Sequence, residues 1–402
     1  MINKIKESVE KYQDELISLT RALVKIHSET GQEEQIINWL NEKFNEIGFD
    51  EIIIDEMGNL IGKIGSGKNI LAIDGHVDTV EIGSLENWAF NPLKGKIEEG
   101  KIYGRGSCDQ KGGLAAAIMA IKILKEIGFP ENLTLYLVAS IHEEIFEGMN
   151  WQHIINVVGI RPGAVLLTEP SNLLISIGHR GRVDIKIEVT GISSHGADPD
   201  LGVNAIYKMA KIISEIEELH KKLPTGKTFG KSSITVTDIK SNSVSLNAVA
   251  DKCIIHVDRR LGDGETKERV LKEISNLPSV KKAGAKVYVS KINSKSYKDY
   301  KYEIEGYYPS WLMKESDSLV KIAKKTYEQQ YNKEAQLRYW RFSTNGVATK
   351  GLNNIPTIGF GPGDEKFAHT SNENIPIEHL KKAVEFYTAF CLEFSRNEKL
   401  PK

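Results

Sequence analysis

Histidine and carboxylate side chains follow several short apolar runs in this 402-residue sequence. They are His76 and Asp78 after the run 70–73, Glu143 and Glu144 after 133–141, Glu169 after 164–167, and His369 beyond 357–360. One H-x-D pair can occur by chance, so only the recurrence of the pattern favours a metal site. Imidazoles and carboxylates without a thiolate suit Zn, Mn or Co. A bridging carboxylate would allow two metal ions about 3.5–4 Å apart.

One further candidate ligand, Asp109, lies in a glycine-rich loop rather than after a strand. Glycines at 104, 106, 112 and 113 surround it, and a helix is predicted at 114–127. An Asp near a helix N-terminus is usually a cap or a dipole partner. The alternative is a metal-bridging carboxylate, held by a backbone that only glycines allow. Of the adjacent Glu143 and Glu144, which would ordinarily form a solvated turn, one could bind a metal while the other acts as a general base.

These residues need strand ends that meet at one edge of a sheet, because open α/β sheets bind ligands outside the carboxyl ends of their strands. Apolar runs predict strands at 52–55, 60–64, 70–73, 133–141, 164–167 and 357–360. Helical spacing predicts helices at 4–26, 33–47, 114–127, 317–331 and 377–394. The alternation of strands and helices predicts an α/β domain.

The pattern changes between residues 178 and 296. Strands are predicted at 182–189, 233–237, 252–257 and 285–289, with helices at 202–219 and 266–274. This β-α-β-β-α-β order is that of the ferredoxin-like split unit. Because the unit interrupts the α/β pattern, we predict a first domain formed by 1–177 and 297–402 and an inserted domain formed by 178–296.

Composition excludes several functional classes. With 53 basic and 54 acidic side chains, the net charge of −1 gives no reason to expect nucleic acid as a partner. The apolar runs are shorter than the ~20 residues of a membrane span, and the N-terminus lacks an apolar signal core. Three widely separated cysteines, Cys108, Cys253 and Cys391, suit a reducing cytoplasm rather than a disulfide framework. We therefore expect a cytoplasmic protein that does not engage a membrane.

Six motifs carry a resemblance to a known family. In chain order they are GHVDTV (75–80), GRGSCDQKGG (104–113), HEE (142–144), TEP (168–170), SSHGADP (193–199) and FGPGDEKFAHTSNE (360–373). Together they resemble the M20 peptidase family, which includes acetylornithine deacetylases, succinyl-diaminopimelate desuccinylases, aminoacylases and carboxypeptidase G2. The segments GHRGRVDI (178–185), DRRLGDGET (258–266) and RFSTNGV (341–347) are most similar to the YgeY-type hydrolases linked to selenium metabolism.

The resemblance implies a mixed-sheet, zinc-peptidase-like catalytic domain with an inserted ferredoxin-like α+β lid and dimerisation domain. It implies a metal-dependent amidohydrolase or peptidase with two divalent ions, zinc or else cobalt or manganese. One ion would be held by His76, Asp109 and Glu169, and the other by Asp109, Glu144 and His369. Glu143 would be the general acid and base, and Asp78 would orient the His76 ring, a role that metal-bound histidines generally require.

The resemblance also assigns roles in the inserted domain and near the last motif. His195 would reach the active site of the partner in a homodimer and stabilise the oxyanion. Asn247 and Arg260 match positions that can contact the carboxylate or carbonyl of a substrate, although they could equally be a turn residue and part of a surface ion pair. Gly361 could present its N–H group to a carboxylate or simply form a tight turn.

The implied reaction is cleavage of an amide C–N bond in a small N-acyl amino acid or a short peptide. A dipeptidase and an N-carbamoyl amidohydrolase remain open, because they would share the metal chemistry and differ only in the pocket. A third reading is a non-catalytic homologue that binds a small amino-acid derivative, which would be expected to lack Glu143 or a ligand. Asn345, where many members have Asp, and Gln110, where Met is common, set this chain apart from the best-known branches.

Overall fold

The computed structural model describes residues 1–397. Its helices are α1 Ile2–Lys11, α2 Gln13–Lys25, α3 Glu34–Ile47, α4 Gly112–Ile127, α5 Met149–His153, α6 Ala205–Lys222, α7 Lys267–Ser275, α8 Pro278–Ala283, α9 Ser318–Tyr331 and α10 Ile377–Ser395. Its strands up to residue 190 are β1 Glu51–Ile54, β2 Leu60–Ile64, β3 Asn69–His76, β4 Lys96–Glu98, β5 Lys101–Tyr103, β6 Leu133–Ser140, β7 Ala164–Leu167, β8 Ile175–His179 and β9 Arg182–Thr190. The later strands are β10 Ser233–Asn242, β11 Lys252–Arg260, β12 Lys286–Val289, β13 Lys291–Lys295, β14 Lys301–Glu305, β15 Tyr307–Tyr308, β16 Trp311–Leu312, β17 Leu337–Trp340, β18 Thr357–Gly359 and β19 Asn374–Pro376.

The largest sheet has the strand order β1-β2-β6-β3-β7-β18-β8-β16, with β17 also paired to β8. Its centre, β6-β3-β7-β18, is parallel, whereas β2 and β8 join it in the antiparallel sense. The central strands are buried on both faces, as their unbroken apolar runs predict. The predicted mixed α/β fold is confirmed. The carboxyl ends of β3, β6, β7 and β18 therefore meet at one edge, where the candidate ligands follow them.

The helix α4 is buried along almost its whole length and packs between the sheet and α10. The helix predicted at 4–26 is instead two helices that meet at Tyr12, where the backbone has φ −103° and ψ 13°. That detail of the prediction is wrong, because apolar spacing continues through Tyr12 and does not reveal a local change of direction. Among the described residues, no helix combines the length and apolar character needed to cross a bilayer.

The inserted unit has its own sheet, in the order β10-β11-β9-β12 and antiparallel throughout. α6 and α7 cover one face of it and form a second hydrophobic core with Met209, Ile216, Val270 and Ile274. This is the predicted ferredoxin-like arrangement, since the first and third strands of the unit are the central pair. The predicted boundaries, 178 and 296, fall within β8 and at the turn between β13 and β14; the domain limits stay a prediction.

Candidate metal centre

His76 is the last residue of β3 and is fully buried. Its Nδ1 lies 2.9 Å from the backbone carbonyl of Asp78, which fixes that nitrogen as the N–H donor. Nε2 faces the carboxylates and lies 3.1 Å from Oδ1 of Asp109. Carboxylate oxygens of Glu143 and Glu169 lie 3.8 and 3.9 Å from the same nitrogen. His76 thus presents one nitrogen to three carboxylates, as a metal ligand would.

His369 approaches the same cluster from the opposite side. Its Nε2 lies 2.9 Å from Oε2 of Glu144 and 3.3 Å from Oδ2 of Asp109. Asp109 therefore turns one oxygen toward His76 and the other toward His369. A carboxylate that divides its oxygens between two histidines has the geometry of a bridging ligand.

Ligand-type atoms converge in two overlapping groups, each within 4.8 Å: His76 with Glu143 and Glu169, and His76 with Asp109 and Glu144. All five ligands predicted from the sequence therefore lie in one cluster, together with the predicted base. Distance alone does not separate the role of Glu143 from that of Glu144. Their assignment as base and ligand stays a prediction.

The charge of the cluster favours a bound cation. Burial raises the pKa of Glu169 and of Glu143 well above the usual range, and raises that of Glu144 to about 7. Burial alone would lower the pKa of His76, but hydrogen bonds with the carboxylates of Asp109 and Asp78 outweigh it and raise that pKa well above 6.5. Four buried carboxylates face two imidazoles, so negative charge is in excess. Divalent cations would balance this negative charge, and the residues present fit them.

The side chain of Asp78 contacts the backbone of the segment that carries Glu143 and Glu144. Its buried carboxylate accepts hydrogen bonds from the N–H groups of Glu143 and Glu144, each at 3.1 Å, and from the hydroxyl of Thr30 at 2.8 Å. The carboxylate Oδ1 is also 3.5 Å from Nδ1 of His76. The ring of His76 is thus oriented mainly by the Asp78 carbonyl, while the Asp78 side chain holds the turn that carries both glutamates.

The loop that carries Asp109 is held by Glu373, a residue to which sequence reasoning gave no role. One oxygen of Glu373 accepts the N–H groups of Cys108 and Asp109, both at 3.0 Å. Its other oxygen pairs with Arg105 at 2.6 Å. The side chains of Glu373, Arg105 and Asp109 are all buried. The Asp109–Gln110 peptide bond is cis. Glu373 lies within the last motif, but no local pattern shows that its carboxylate reaches a loop 264 residues away.

Asn345 occupies a buried position in which an acid would be unfavourable. Its amide nitrogen donates to Oδ2 of Asp74 at 2.9 Å and its amide oxygen accepts the N–H group of Gly148 at 3.0 Å. Asp74 is fully buried, and burial raises the pKa of its carboxyl. A second carboxylate at 345 would lie directly against Asp74. The amide therefore satisfies the carboxylate that this chain carries at 74.

The residues predicted to contact the substrate make their hydrogen bonds with residues other than the candidate ligands. His195 is exposed, and its Nδ1 accepts the N–H group of Ala197 at 3.1 Å. Asn247 is also exposed and accepts the N–H group of Gly196 through its carbonyl. Arg260 pairs with Asp258 on the same strand, at 2.9 and 3.0 Å. The N–H group of Gly361 already donates to the hydroxyl of Ser171 at 2.9 Å.

Two further histidines flank the centre. His179 is buried; its Nδ1 accepts the N–H group of Thr344 at 3.0 Å, so Nε2 donates to the carbonyl of Pro309 at 3.2 Å. Burial lowers the pKa of His179 to about 3, which keeps the ring neutral. His142, directly before Glu143, lies 2.5 Å from the hydroxyl of Tyr302. Neither ring belongs to the two groups of ligand-type atoms described above.

Residues 72–393 match the model of Peptidase family M20/M25/M40. The chain belongs to this family. The uncharacterized protein YgeY of Escherichia coli (strain K12) is 40% identical over 394 residues, covering 98% of each chain. A probable succinyl-diaminopimelate desuccinylase of Staphylococcus epidermidis is 29% identical over 220 residues, covering 52% of this chain and 53% of that protein.

Solved structures of other proteins share the fold. The aminopeptidase PepT of Bacillus cereus superposes with a TM-score of 0.74 at 23% identity, covering 96% of this chain and 99% of that one. The YXEP protein of Bacillus subtilis, described as a dinuclear metal-binding peptidase of the M20 family, superposes with a TM-score of 0.70 at 14% identity, covering 95% and 98%. The predicted family and fold are confirmed, and this M20 protein is a metal-dependent hydrolase.

Proposed function

We propose that this M20 hydrolase uses two divalent metal ions to cleave an amide C–N bond in a small N-acyl amino acid or a short peptide. The observation that carries the proposal is the division of the Asp109 oxygens between His76 and His369, with Glu169 on the first side and Glu144 on the second. We infer that Asp109 bridges the two ions and that these four residues complete the two ligand sets.

When bound, such ions supply Lewis acidity at the scissile carbonyl and an acidified water. Glu143 is the group placed to move the proton: its carboxylate is buried beside the cluster, and its backbone N–H group is fixed by Asp78. Burial raises the pKa of Glu143 well above 4.5, which makes the carboxylate a stronger base than an exposed glutamate. Glu143 takes the proton of the water and returns it to the leaving nitrogen.

The metal is proposed to be zinc, with cobalt and manganese as alternatives. The donor set is two imidazoles and three carboxylates, a borderline combination that binds all three ions. None of the three cysteines is among the grouped ligands, so this donor set contains no thiolate. The three free, buried cysteines support a reducing compartment, and we propose the cytoplasm.

A homodimer would complete the site. His195 and Asn247 lie side by side at the exposed end of the inserted unit, where the Gly196 N–H group donates to the Asn247 carbonyl at 2.6 Å. Large apolar side chains are exposed on the same unit: Leu201, Tyr207, Ile239, Val244 and Leu246. β10 is also an edge strand, paired only with β11. We propose that a second copy covers this surface, and that His195 then donates to the developing oxyanion of its partner's site.

Two relatives suggest different substrate classes. The desuccinylase relative points to removal of an acyl group, whereas PepT, a structural neighbour, is an aminopeptidase. Dipeptides and N-carbamoyl amino acids remain alternatives, because all share the metal chemistry and differ in the pocket. A purely non-catalytic binding role is disfavoured, since all five proposed ligands and Glu143 are present and grouped.

The test is metal-restored hydrolysis. The full chain is dialysed against chelator, reloaded with Zn, Co or Mn, and assayed for amine release from N-acyl, N-carbamoyl and dipeptide substrates. Glu143→Gln should bind two ions but lose turnover by about 10²- to 10⁴-fold, the range that general base catalysis contributes. Glu131→Gln, at an exposed position, is the matched control. Failure to bind metal at neutral pH, or full turnover by Glu143→Gln, would contradict the proposal.

A further inference from the structure

A β-hairpin links the inserted unit to the catalytic turn. This hairpin strap comprises residues 291–305, with β13 and β14 paired in register from Lys291 with Glu305 to Lys295 with Lys301. At its base, Gly306 donates to the carbonyl of Ser290, and Ser290 donates to the carbonyl of Asp184 in β9. Glu305 also pairs with Lys267 of α7 at 2.5 Å. The base of the strap is therefore fixed to the inserted unit.

The tip of the strap is fixed to the first domain instead. The hydroxyl of Tyr297 donates to the carbonyl of Gly58 at 3.0 Å, and the ammonium of Lys298 donates to the carbonyl of Asp55 at 2.8 Å. A Cβ at Gly58 would lie 2.3 Å from the Tyr297 ring, so glycine is required for this close contact. The strap spans the two units and is anchored at both ends.

Between its two anchors the strap places Tyr302 against the segment that carries the glutamates. The ring of Tyr302 is buried and lies edge-on to His142 and Phe146, with centroid distances of 5.7 and 5.8 Å. Its hydroxyl lies 2.5 Å from Nδ1 of His142. Burial raises the pKa of Tyr302 to about 12, so the hydroxyl keeps its proton and can donate to that nitrogen.

His142 and Phe146 are the two ends of one turn. The N–H group of Phe146 donates to the carbonyl of His142 at 3.2 Å, which closes the turn around Glu143 and Glu144. His142 has φ +58°, a left-handed conformation that a non-glycine residue adopts only when its surroundings hold it there. Asp78 holds the inner side of the turn through the two glutamate N–H groups. Tyr302 contacts both ends of the turn, through the rings of His142 and Phe146.

We propose that Tyr302 is a positioning residue: through His142 and Phe146 it fixes the turn that presents Glu143 and Glu144, and through the strap it couples that turn to the inserted unit. The proposal rests on the function proposed above. It predicts that loss of one hydroxyl, which itself contacts no proposed ligand, impairs proton transfer and metal binding on the Glu144 side. A merely structural hairpin would lose stability without either effect.

Two variants separate these cases, because each removes one hydroxyl hydrogen bond from the same hairpin. Tyr302→Phe removes the contact to His142, and Tyr297→Phe removes the contact to Gly58 at the tip. With metal-loaded full chain, Tyr302→Phe should lower kcat about 5- to 10-fold with KM unchanged, the size of effect expected from one hydrogen bond. Tyr297→Phe should keep kcat within about twofold of wild type. The thermal midpoint should fall by a similar number of degrees in both variants, because each loses one hydrogen bond.

Two readouts do not depend on finding a substrate. Hydrogen–deuterium exchange should be faster at the Glu143 and Glu144 amides in Tyr302→Phe alone. The affinity of the second Mn²⁺ equivalent, measured by chelator competition, should fall several-fold in that variant alone. If wild type binds two ions but hydrolyses none of the panel, the proposed function fails and these readouts still decide the role of Tyr302. Equal exchange and equal second-ion affinity in the two variants would overturn the proposal.

Discussion

The two histidines of the metal centre are held in opposite ways. His76 ends a central strand, its side chain is 1% exposed, and both ring nitrogens have partners. His369 lies in an irregular segment after a short turn at 365–367, has φ +60°, and keeps 52% of its side chain exposed. The same residue type, with the same predicted task, thus occupies a rigid position on one side and an accessible one on the other.

This difference predicts unequal metal sites. On the His76 side the ring is already oriented, so ligand binding needs little further ordering. On the His369 side an exposed side chain must lose conformational freedom when it binds. We therefore expect the His76 side to bind its ion more tightly and the His369 side to be filled second.

Asp109→Asn is expected to have the largest effect, because Asp109 serves both sides. An amide offers one oxygen instead of two, so the bridge is lost. Both ion affinities should fall, and turnover should drop by at least about 10³-fold, consistent with the several kcal/mol that metal ions supply. Metal analysis after gel filtration and the hydrolysis assay measure this. Retention of two tightly bound ions would show that the two sides are independent.

His76→Ala and His369→Ala should differ in stability. Removing His76 leaves the buried carboxylates of Asp78 and Asp109 with fewer partners, at a cost of about 3–5 kcal/mol. Removing the half-exposed His369 should cost less than about 1 kcal/mol. Urea denaturation of the metal-free variants measures both changes. Equal losses would contradict the contrast drawn between a rigid and an accessible side.

Glu373→Gln should loosen the loop that carries Asp109, the residue shared by the two sides of the metal centre. The Gln oxygen can still accept the N–H groups of Cys108 and Asp109, but its NH₂ group would face the donors of buried Arg105. Metal affinity should fall about 10- to 100-fold, as for other residues that orient ligands. The loss of affinity should be greater for the ion on the His369 side, because Glu373 and His369 lie in the same segment. Glu365→Gln, which faces Arg338 at a partly exposed position, is the control.

The pH dependence should have opposite signs for folding and for metal binding. Hydrogen bonds with Asp109, and then Glu144, raise the pKa of His369 to about 10 in the metal-free protein. Its ion pairs therefore stabilise the metal-free fold fully below pH 6.5 and are lost as the pH rises through 10. Binding an ion requires a neutral ring, so affinity should rise up to about tenfold per pH unit between pH 7 and 9. Chelator competition across this range, in wild type and in His369→Gln, measures the difference; equal slopes would contradict it.

Much of the fold was predictable because apolar periodicity reports burial directly. The runs that lead to His76, Glu143 and Glu169 are strands of one sheet, and the inserted unit has the predicted strand order. The break at Tyr12 was missed because both helices bury the same apolar face. The hairpin strap was missed as well, because β13 has one apolar residue among four polar ones and β14 has only two apolar residues.

At the metal centre, too, the sequence predicted residue types but not the contacts between distant segments. The sequence by itself determined which residue types stand at the strand ends and hence that a cluster of imidazoles and carboxylates would form. It did not determine that Glu373 holds Asp109 or that Tyr302 holds the turn with Glu143, since these pairs are far apart along the chain. Only the tertiary structure decided how the Asp109 oxygens divide between His76 and His369, because the orientation of a carboxylate depends on everything packed around it.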